Sequence, residues 1–246
     1  ARIYQRRHFG TYRLTASSCL PPHTVHTGRM TSTIQFPAYV IGLMSGTSAD
    51  GVDAALLFTD GQTLVEAGAG LFVPYDDGLR ADILALMRGV GDEADVSRRL
   101  TDVHIVAVQE LIEKTKIPPT LIGFHGQTIR HAPAEGITVQ IGEPARMARE
   151  LGIPVVADFR SNDVKHGGQG APLVPLYHAA LAHQLSKPLM VVNIGGVSNV
   201  TWIGESGAAS AASPLAGEAT RLSASALSRS GEGASSETVN LHAPPP

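Results

Sequence analysis

Short apolar runs alternate with longer segments of helical periodicity along the middle of this chain. Residues 40–44 and 54–58 are apolar runs of strand length that flank a turn rich in Gly, Ser, Thr and Asp. This arrangement predicts a strand, a tight loop and a second strand. Residues 92–116 repeat apolar positions at spacings of three and four, which is the pattern of an amphipathic helix.

The same patterns predict the other elements of the middle segment. They indicate strands at 64–73, 121–124, 138–141, 154–157, 189–193 and 198–203, and helices at 76–88, 144–151 and 174–185. Three strands followed by alternating helices and strands predict an α/β layered domain with a mixed sheet.

The two ends differ from the middle in composition. Residues 1–29 contain five Arg and no Asp or Glu, and Met30 precedes the first strand. We therefore expect a disordered extension over 1–29, with an organelle transit peptide as the less favoured alternative. Residues 205–246 are rich in Ser, Ala and Gly and predict a mostly disordered tail. The predicted folded segment is 30–204.

Bulk composition excludes some classes of function. The 246 residues are 43% hydrophobic and 17% charged, enough for one large domain or two small ones. A net charge of −3 gives no long-range attraction to nucleic acid or to a membrane surface. No apolar run reaches transmembrane length. Because Cys19 is the only cysteine, an internal disulfide framework is excluded and a cytoplasmic location is expected.

The loop between the first two predicted strands has the chemistry of a phosphate-binding loop. Gly46 and Gly51 allow close approach of the backbone to a ligand, and Thr47 and Ser48 add hydroxyl donors. Asp50 and Asp53 can hold the Mg²⁺ that accompanies phosphate. The alternative is an ordinary hairpin turn in which Gly and Asp serve only geometry.

A second set of polar residues lies in or beside the ends of later predicted strands, where open α/β sheets place their ligands. The set is His125, Gln127, Gln140, Asp158, Arg160, Asp163, Gln169 and Asn193. Hydrogen-bonding side chains of this kind suit a polyhydroxylated or N-acetylated ligand. Arg160 can hold a carboxylate by two parallel bonds. The alternatives are a capping histidine at 125 and a structural ion pair between Asp158 and Arg160.

Six motifs in order carry a family resemblance over about residues 39–204. They occupy residues 41–53, 123–128, 138–142, 158–163, 167–175 and 193–199. Together they resemble the anhydro-N-acetylmuramic acid kinases of bacterial cell-wall recycling. The resemblance implies an actin-like ATPase lobe of the ribonuclease H-like type, shared with hexokinase and Hsp70, whose second lobe is largely missing from this chain.

The resemblance also implies a reaction and a set of site residues. Family members use ATP, Mg²⁺ and water to convert 1,6-anhydro-N-acetylmuramic acid, a small amino sugar, to N-acetylmuramic acid 6-phosphate, and they are commonly homodimers. By matching motif, the phosphate contacts are Gly46, Thr47, Ser48, Ala49, Asp50, Gly51, Val52 and Asp53, with Asp50 also the metal ligand. The sugar contacts are His125, Gln127, Asp158, Arg160 and Gln169.

The resemblance ends near residue 204, before the family's loop that contains the catalytic base. No residue of this sequence matches that base, and Asp158 and Asp163 are only weak substitutes from another motif. Two expectations follow. Either the chain belongs to an active amino-sugar kinase, or it is an inactive truncated or frameshifted fragment that at most binds sugar or phosphate.

Overall fold

A computed structural model describes residues 2–4, 34–62, 64–194, 198–205 and 209–212. The chain divides into two units, residues 1–171 and residues 172–246. Each unit is described by itself.

The first unit contains seven strands and four α-helices within its described residues. The strands are β1 (Arg2–Tyr4), β2 (Ala38–Ser45), β3 (Gly51–Thr59), β4 (Val65–Pro74), β5 (Leu121–Ala132), β6 (Ile137–Ile141) and β7 (Val155–Ala157). The helices are α1 (Asp77–Leu86), α2 (Glu93–Thr115), α3 (Pro144–Leu151) and α4 (Ser161–Lys165), with a 3₁₀ turn at Pro133–Glu135.

These strands form one mixed sheet in the order β1-β7-β5-β2-β3-β4. Strands β2, β3 and β4 form an antiparallel meander, whereas β5 runs parallel to both β2 and β7. Strand β6 pairs antiparallel with the second half of β5. The α/β class with a mixed sheet is therefore confirmed, and this architecture is consistent with an actin-like kinase lobe.

Helix α2 shows how the local sequence builds the core beneath the sheet. Its N-cap, Asp92, accepts hydrogen bonds from the backbone N–H groups of Ala94 and Asp95 at 2.9 and 3.2 Å. Its C-cap, Lys116, takes a left-handed conformation. The apolar stripe of the helix is buried, including Leu100 and Leu111. Burying each such side chain contributes about 1.5–3 kcal/mol.

Strand β5 differs from the prediction. The segment 125–128 was expected to be a polar loop after a short strand, but it continues the strand through a β-bulge. The bulge is visible in the register with β2, where Leu43 pairs with Phe124 and Ser45 pairs with Gln127. Glycine at position 126, with φ of 72°, supplies the backbone conformation that the bulge requires.

The second unit contains α5 (Pro175–Leu181), β8 (Leu189–Ile194), β9 (Ser198–Ile203) and β10 (Ala209–Ala212). The strands form an antiparallel sheet in the order β10-β9-β8. Residues Thr201 and Ile203 of β9 are buried, whereas Trp202 between them is exposed. The helix expected over 174–185 is shorter than predicted.

Two strands lie in the terminal segments for which the sequence predicted disorder. Strand β1 pairs with β7, and β10 pairs with β9. The rest of 1–29 and of 206–246, where those predictions fall, lies outside the described residues. Among the described helices, none combines the length and the apolar character that a membrane crossing requires.

Candidate functional site

The loop between β2 and β3 is a tight turn with its polar side chains exposed. The backbone N–H of Ala49 donates to the carbonyl of Gly46 at 3.1 Å, and Ala49 takes a left-handed φ of 51°. The hydroxyl of Ser48 donates to Asp50 Oδ1 at 2.8 Å. Gly51 follows, where a Cβ atom would lie 2.4 Å from the carbonyl oxygen of Val73, so only glycine fits.

The predicted phosphate contacts divide by exposure. Thr47, Ser48 and Asp50 have exposed side chains, whereas the side chains of Ala49 and Val52 are fully buried in the core. Because the N–H of Ala49 also closes the turn, Ala49 and Val52 shape the loop rather than present side chains to a ligand.

Two carboxylates lie at the exit of this loop. The side chain of Asp53 is exposed, but the partial desolvation that it undergoes beside the loop raises its pKa, and the negative charge of Asp50 raises it further. A cation between two such carboxylates would relieve this repulsion. The described residues contain no cluster of three or more His, Cys, Asp or Glu side chains arranged for a metal ion.

A buried chain of hydrogen bonds lies directly beneath the loop. The hydroxyl of Tyr75 donates to Ser45 Oγ at 2.9 Å, and Ser45 donates to Gln127 Oε1 at 2.5 Å. The amide Nε2 of Gln127 donates to the carbonyl of Gly46 at 3.1 Å and to the carbonyl of Thr128 at 3.3 Å. Gln127, predicted on the sugar side, therefore lies under the β2–β3 loop, with both ends of its amide engaged.

A second cluster forms where β5 meets the segment after β7. Arg160 Nε donates to His125 Nε2 at 2.9 Å, and Arg160 Nη1 donates to the carbonyl of Gly170 at 2.6 Å. His125 Nδ1 lies 2.8 Å from the carbonyl of Gly126 and must be the donor there. His125 is thus neutral, with its proton on Nδ1. Burial and the charge of Arg160 both lower the pKa of His125.

A cavity of about 300 Å³ lies beside this cluster. It has mixed polar and apolar walls, formed by Phe124, His125, Thr138, Val139, Gln140, Gly142, Pro144, Ala157, Asp158 and Ser161. Asp158 has a φ of 58°, in the left-handed region that non-glycine residues rarely adopt. Strained backbone of this kind is concentrated at ligand sites.

Two other predicted residues, Asp163 and Gln169, lie beside or within the glycine-rich loop 167–170. Asp163 Oδ2 accepts the backbone N–H of Gly170 at 2.6 Å, and the Asp163 carbonyl accepts that of Gly168 at 2.8 Å. Gln169 is exposed, and its backbone is hydrogen-bonded to His131. The side chain of Asn193 lies outside the described residues.

The structure therefore brings His125, Asp158 and Arg160 together and separates Gln127 from them. Sequence reasoning did not identify Ser45 and Tyr75 as parts of the site. Ser45 stood inside the quoted motif, directly before the loop, which was a usable signal. Tyr75 carried none, because it lies 30 residues along the chain from Ser45 and meets it only through the fold.

Comparison with known proteins gives the family. Residues 38–213 match the family model described as anhydro-N-acetylmuramic acid kinase, so the match extends past the boundary expected at 204. A protein of that name from Rhodospirillum rubrum is 53% identical over 172 residues, covering 68% of this chain and 46% of the relative.

Two further proteins of that name agree with this result. The one from Paramagnetospirillum magneticum is 52% identical over 170 residues, covering 68% of this chain and 48% of the relative. The one from Brucella canis is 49% identical over 185 residues, covering 68% of this chain and 50% of the relative. The chain spans about half the length of these curated relatives. The motifs, the α/β sheet and the family match agree, and the chain belongs to the anhydro-N-acetylmuramic acid kinase family.

Proposed function

We propose that this chain supplies the phosphate loop and the sugar-side residues of an ATP-dependent kinase of 1,6-anhydro-N-acetylmuramic acid. The product is N-acetylmuramic acid 6-phosphate, and the process is peptidoglycan recycling. The observation that supports the proposal most directly is the course of β5. This strand positions Gln127 under the proposed phosphate loop, where its amide bonds the Gly46 carbonyl. It also positions His125 beside the cavity, where His125 accepts a hydrogen bond from Arg160.

The phosphate side rests on the exposed groups of the β2–β3 loop. Thr47 and Ser48 offer hydroxyl groups, and Gly46 leaves the backbone open to phosphate oxygens, whereas Gly51 is buried against Val73 and serves the turn. Asp50 would hold Mg²⁺, with Asp53 beside it, and the raised pKa of Asp53 fits a place for a cation. Bound Mg²⁺ would neutralise charge on the transferring phosphate.

The sugar side rests on Arg160 and the cavity. Arg160 is half-buried, and its guanidinium is aimed by His125 and by the carbonyl of Gly170. It would bind the lactyl carboxylate of the sugar or the transferring phosphate. Of the two candidate bases, Asp158 lines the cavity, whereas Asp163 is not among its lining residues. Asp158 is therefore the better candidate.

The proposed reaction balances as follows. A carboxylate takes a proton from water as the water oxygen forms a bond to the anomeric carbon. The bond between that carbon and the bridging 6-oxygen breaks, which opens the anhydro ring. The 6-oxygen then takes the γ-phosphoryl group of ATP, and ADP leaves.

Phosphate transfer from ATP to 1,6-anhydro-N-acetylmuramic acid tests the proposal, with the product detected by mass. We expect the product to disappear in Asp158→Asn and to persist in Asp163→Asn. Asp82→Asn is the matched control, because it removes an exposed carboxylate of α1 that pairs with Arg99. Loss of product in Asp163→Asn alone would reverse the assignment of the base.

The alternative function is binding of sugar or phosphate without catalysis. It is favoured by the engagement of Asp163 in the 167–170 loop, and by the expectation from the resemblance that the family's base has no counterpart in this chain. A hybrid protein distinguishes catalysis from binding alone. In this hybrid, residues 30–204 of the chain are joined to the downstream half of the Rhodospirillum rubrum relative. Product from the hybrid but none from the chain would establish the alternative for this chain.

Two further parts of the proposal concern the setting of the protein. We expect a homodimer in the cytoplasm, with a small amino sugar as the partner and without nucleic acid or membrane. Light scattering after gel filtration measures the mass of the particle. A monomeric mass would remove the dimer from the proposal without affecting the proposed reaction.

A further inference from the structure

Tyr75 bonds both ends of the β2–β3 loop. Its hydroxyl donates to Ser45, the last residue of β2 before the loop. Its backbone N–H donates at 3.0 Å to the carbonyl of Asp50, the last residue of the loop before β3. The two contacts therefore hold the entry and the exit of the loop against one residue of the β4–α1 connection.

The helix that follows holds Tyr75 itself in place. Asp76, the next residue, is the N-cap of α1 and accepts the backbone N–H of Leu79 at 2.8 Å. Tyr75 is 6% exposed and packs in the core with Leu79 and Ile83. Its hydroxyl is buried, and this burial raises the pKa of Tyr75. A buried hydroxyl group needs a hydrogen-bond partner, and Ser45 supplies it.

The bulge in β5 lets Gln127 connect the Tyr75–Ser45 hydrogen bond to the backbone of the loop. Leu43 and Ser45 are separated by two positions on β2, and both side chains face the core. Their partners on β5, Phe124 and Gln127, also face the core, although three positions separate them. Without the bulge, alternation would point Gln127 to the same face as His125. With it, Gln127 faces Ser45 and reaches the Gly46 carbonyl.

We infer that Tyr75 is a positioning residue that sets the conformation of the 46–50 loop through Ser45 and Gln127. It acts without contacting a ligand, because it lies beneath the loop and is buried. The chain of bonds ends at the Gly46 carbonyl, the same oxygen that accepts the N–H of Ala49 and closes the turn. The inference that this conformation sets phosphate affinity rests on the proposed function.

Hydrogen exchange of the Ala49 amide tests the inference without a ligand. In the ¹⁵N-labelled full chain, we expect Tyr75→Phe and Gln127→Met to exchange this amide about tenfold faster, the equivalent of about 1.4 kcal/mol. The amide of Ile122 in β5 reports global opening. Tyr39→Phe is the matched control, because Tyr39 is an exposed tyrosine of the same sheet. Equal acceleration at Ala49 and Ile122, or no acceleration at Ala49, would overturn the inference.

Titration with Mg-ATP separates this inference from the proposed function. We expect the amide signals of Thr47 and Ser48 to shift with saturation in the wild type, and Tyr75→Phe to weaken the apparent Kd about tenfold. Unshifted signals in the wild type would overturn the phosphate-binding role and leave the exchange result to decide the positioning role. Equal affinity in wild type and Tyr75→Phe would overturn the control of affinity by Tyr75.

Discussion

His104 on α2 gives the sharpest test of the packing beneath the site. Its side chain has no exposed surface, and its Nδ1–H donates to the carbonyl of Leu100 at 2.8 Å. Among the described residues, Nε2 has no hydrogen-bond partner. The ring meets Phe124 of β5 edge-on, with centroids 4.9 Å apart. Burial lowers the pKa of His104 to about 4, and the hydrogen bond to Leu100 opposes this shift only in part.

The sign and size of the effect follow from proton linkage. Between the ordinary histidine pKa of about 6.5 and the folded value of about 4, the unfolded chain binds a proton that the folded chain does not. The free energy of unfolding therefore falls as the pH falls through this window. The full loss is ~3 kcal/mol at about 1.36 kcal/mol per pKa unit, and about 2 kcal/mol of it lies between pH 7.5 and pH 5.

Urea unfolding of wild type and His104→Leu at these two pH values measures the effect. Far-UV circular dichroism is the appropriate signal, because the single tryptophan, Trp202, lies in the second unit. We expect the pH-dependent loss to be about 2 kcal/mol smaller in His104→Leu than in the wild type. The buried histidine at 125 also has a lowered pKa, so part of the wild-type loss remains in the variant.

His166→Gln is the control, because His166 is exposed in the same unit. It should keep the pH dependence of the wild type. If His104→Leu kept that dependence as well, the assignment of the loss to the buried, half-partnered imidazole would be wrong.

Three further predictions test other parts of the structure. Gly51→Ala should lower the free energy of unfolding by about 1–3 kcal/mol, because the added Cβ would overlap the carbonyl oxygen of Val73. Gly42→Ala is the control, because a Cβ at Gly42 would meet open space, and urea midpoints of the two variants measure the difference. Asp92→Ala removes the N-cap of α2 and should cost about 1 kcal/mol in thermal unfolding, and an unchanged melting temperature would contradict the cap. Arg160→Lys should weaken sugar binding about tenfold, as measured by calorimetry, because one ammonium group cannot make the guanidinium's hydrogen bonds to both His125 and the Gly170 carbonyl. Unchanged affinity would refute the proposed role of Arg160 in binding the sugar.

Local elements were predictable because their signals lie within short stretches of chain. The cap and apolar stripe of α2 lie within one segment, and the strand–loop–strand at 40–58 is marked by its turn residues. The six motifs were enough to identify the family, which the comparison confirmed. His125, Asp158 and Arg160, which the structure brings together, were also among the predicted residues, because each stood in a motif.

What the sequence could not show depends on contacts between distant segments. The bulge in β5 exists only through its register against β2, and a loop at 125–128 was therefore the wrong expectation. That register decides that Gln127 bonds the backbone of the β2–β3 loop, whereas His125 accepts a hydrogen bond from Arg160. Tyr75 enters the site across 30 residues of chain. The sequence by itself determined the elements, the family and the candidate chemistry. Only the tertiary structure decided which side chains meet, because strand register and burial are properties of the assembled sheet.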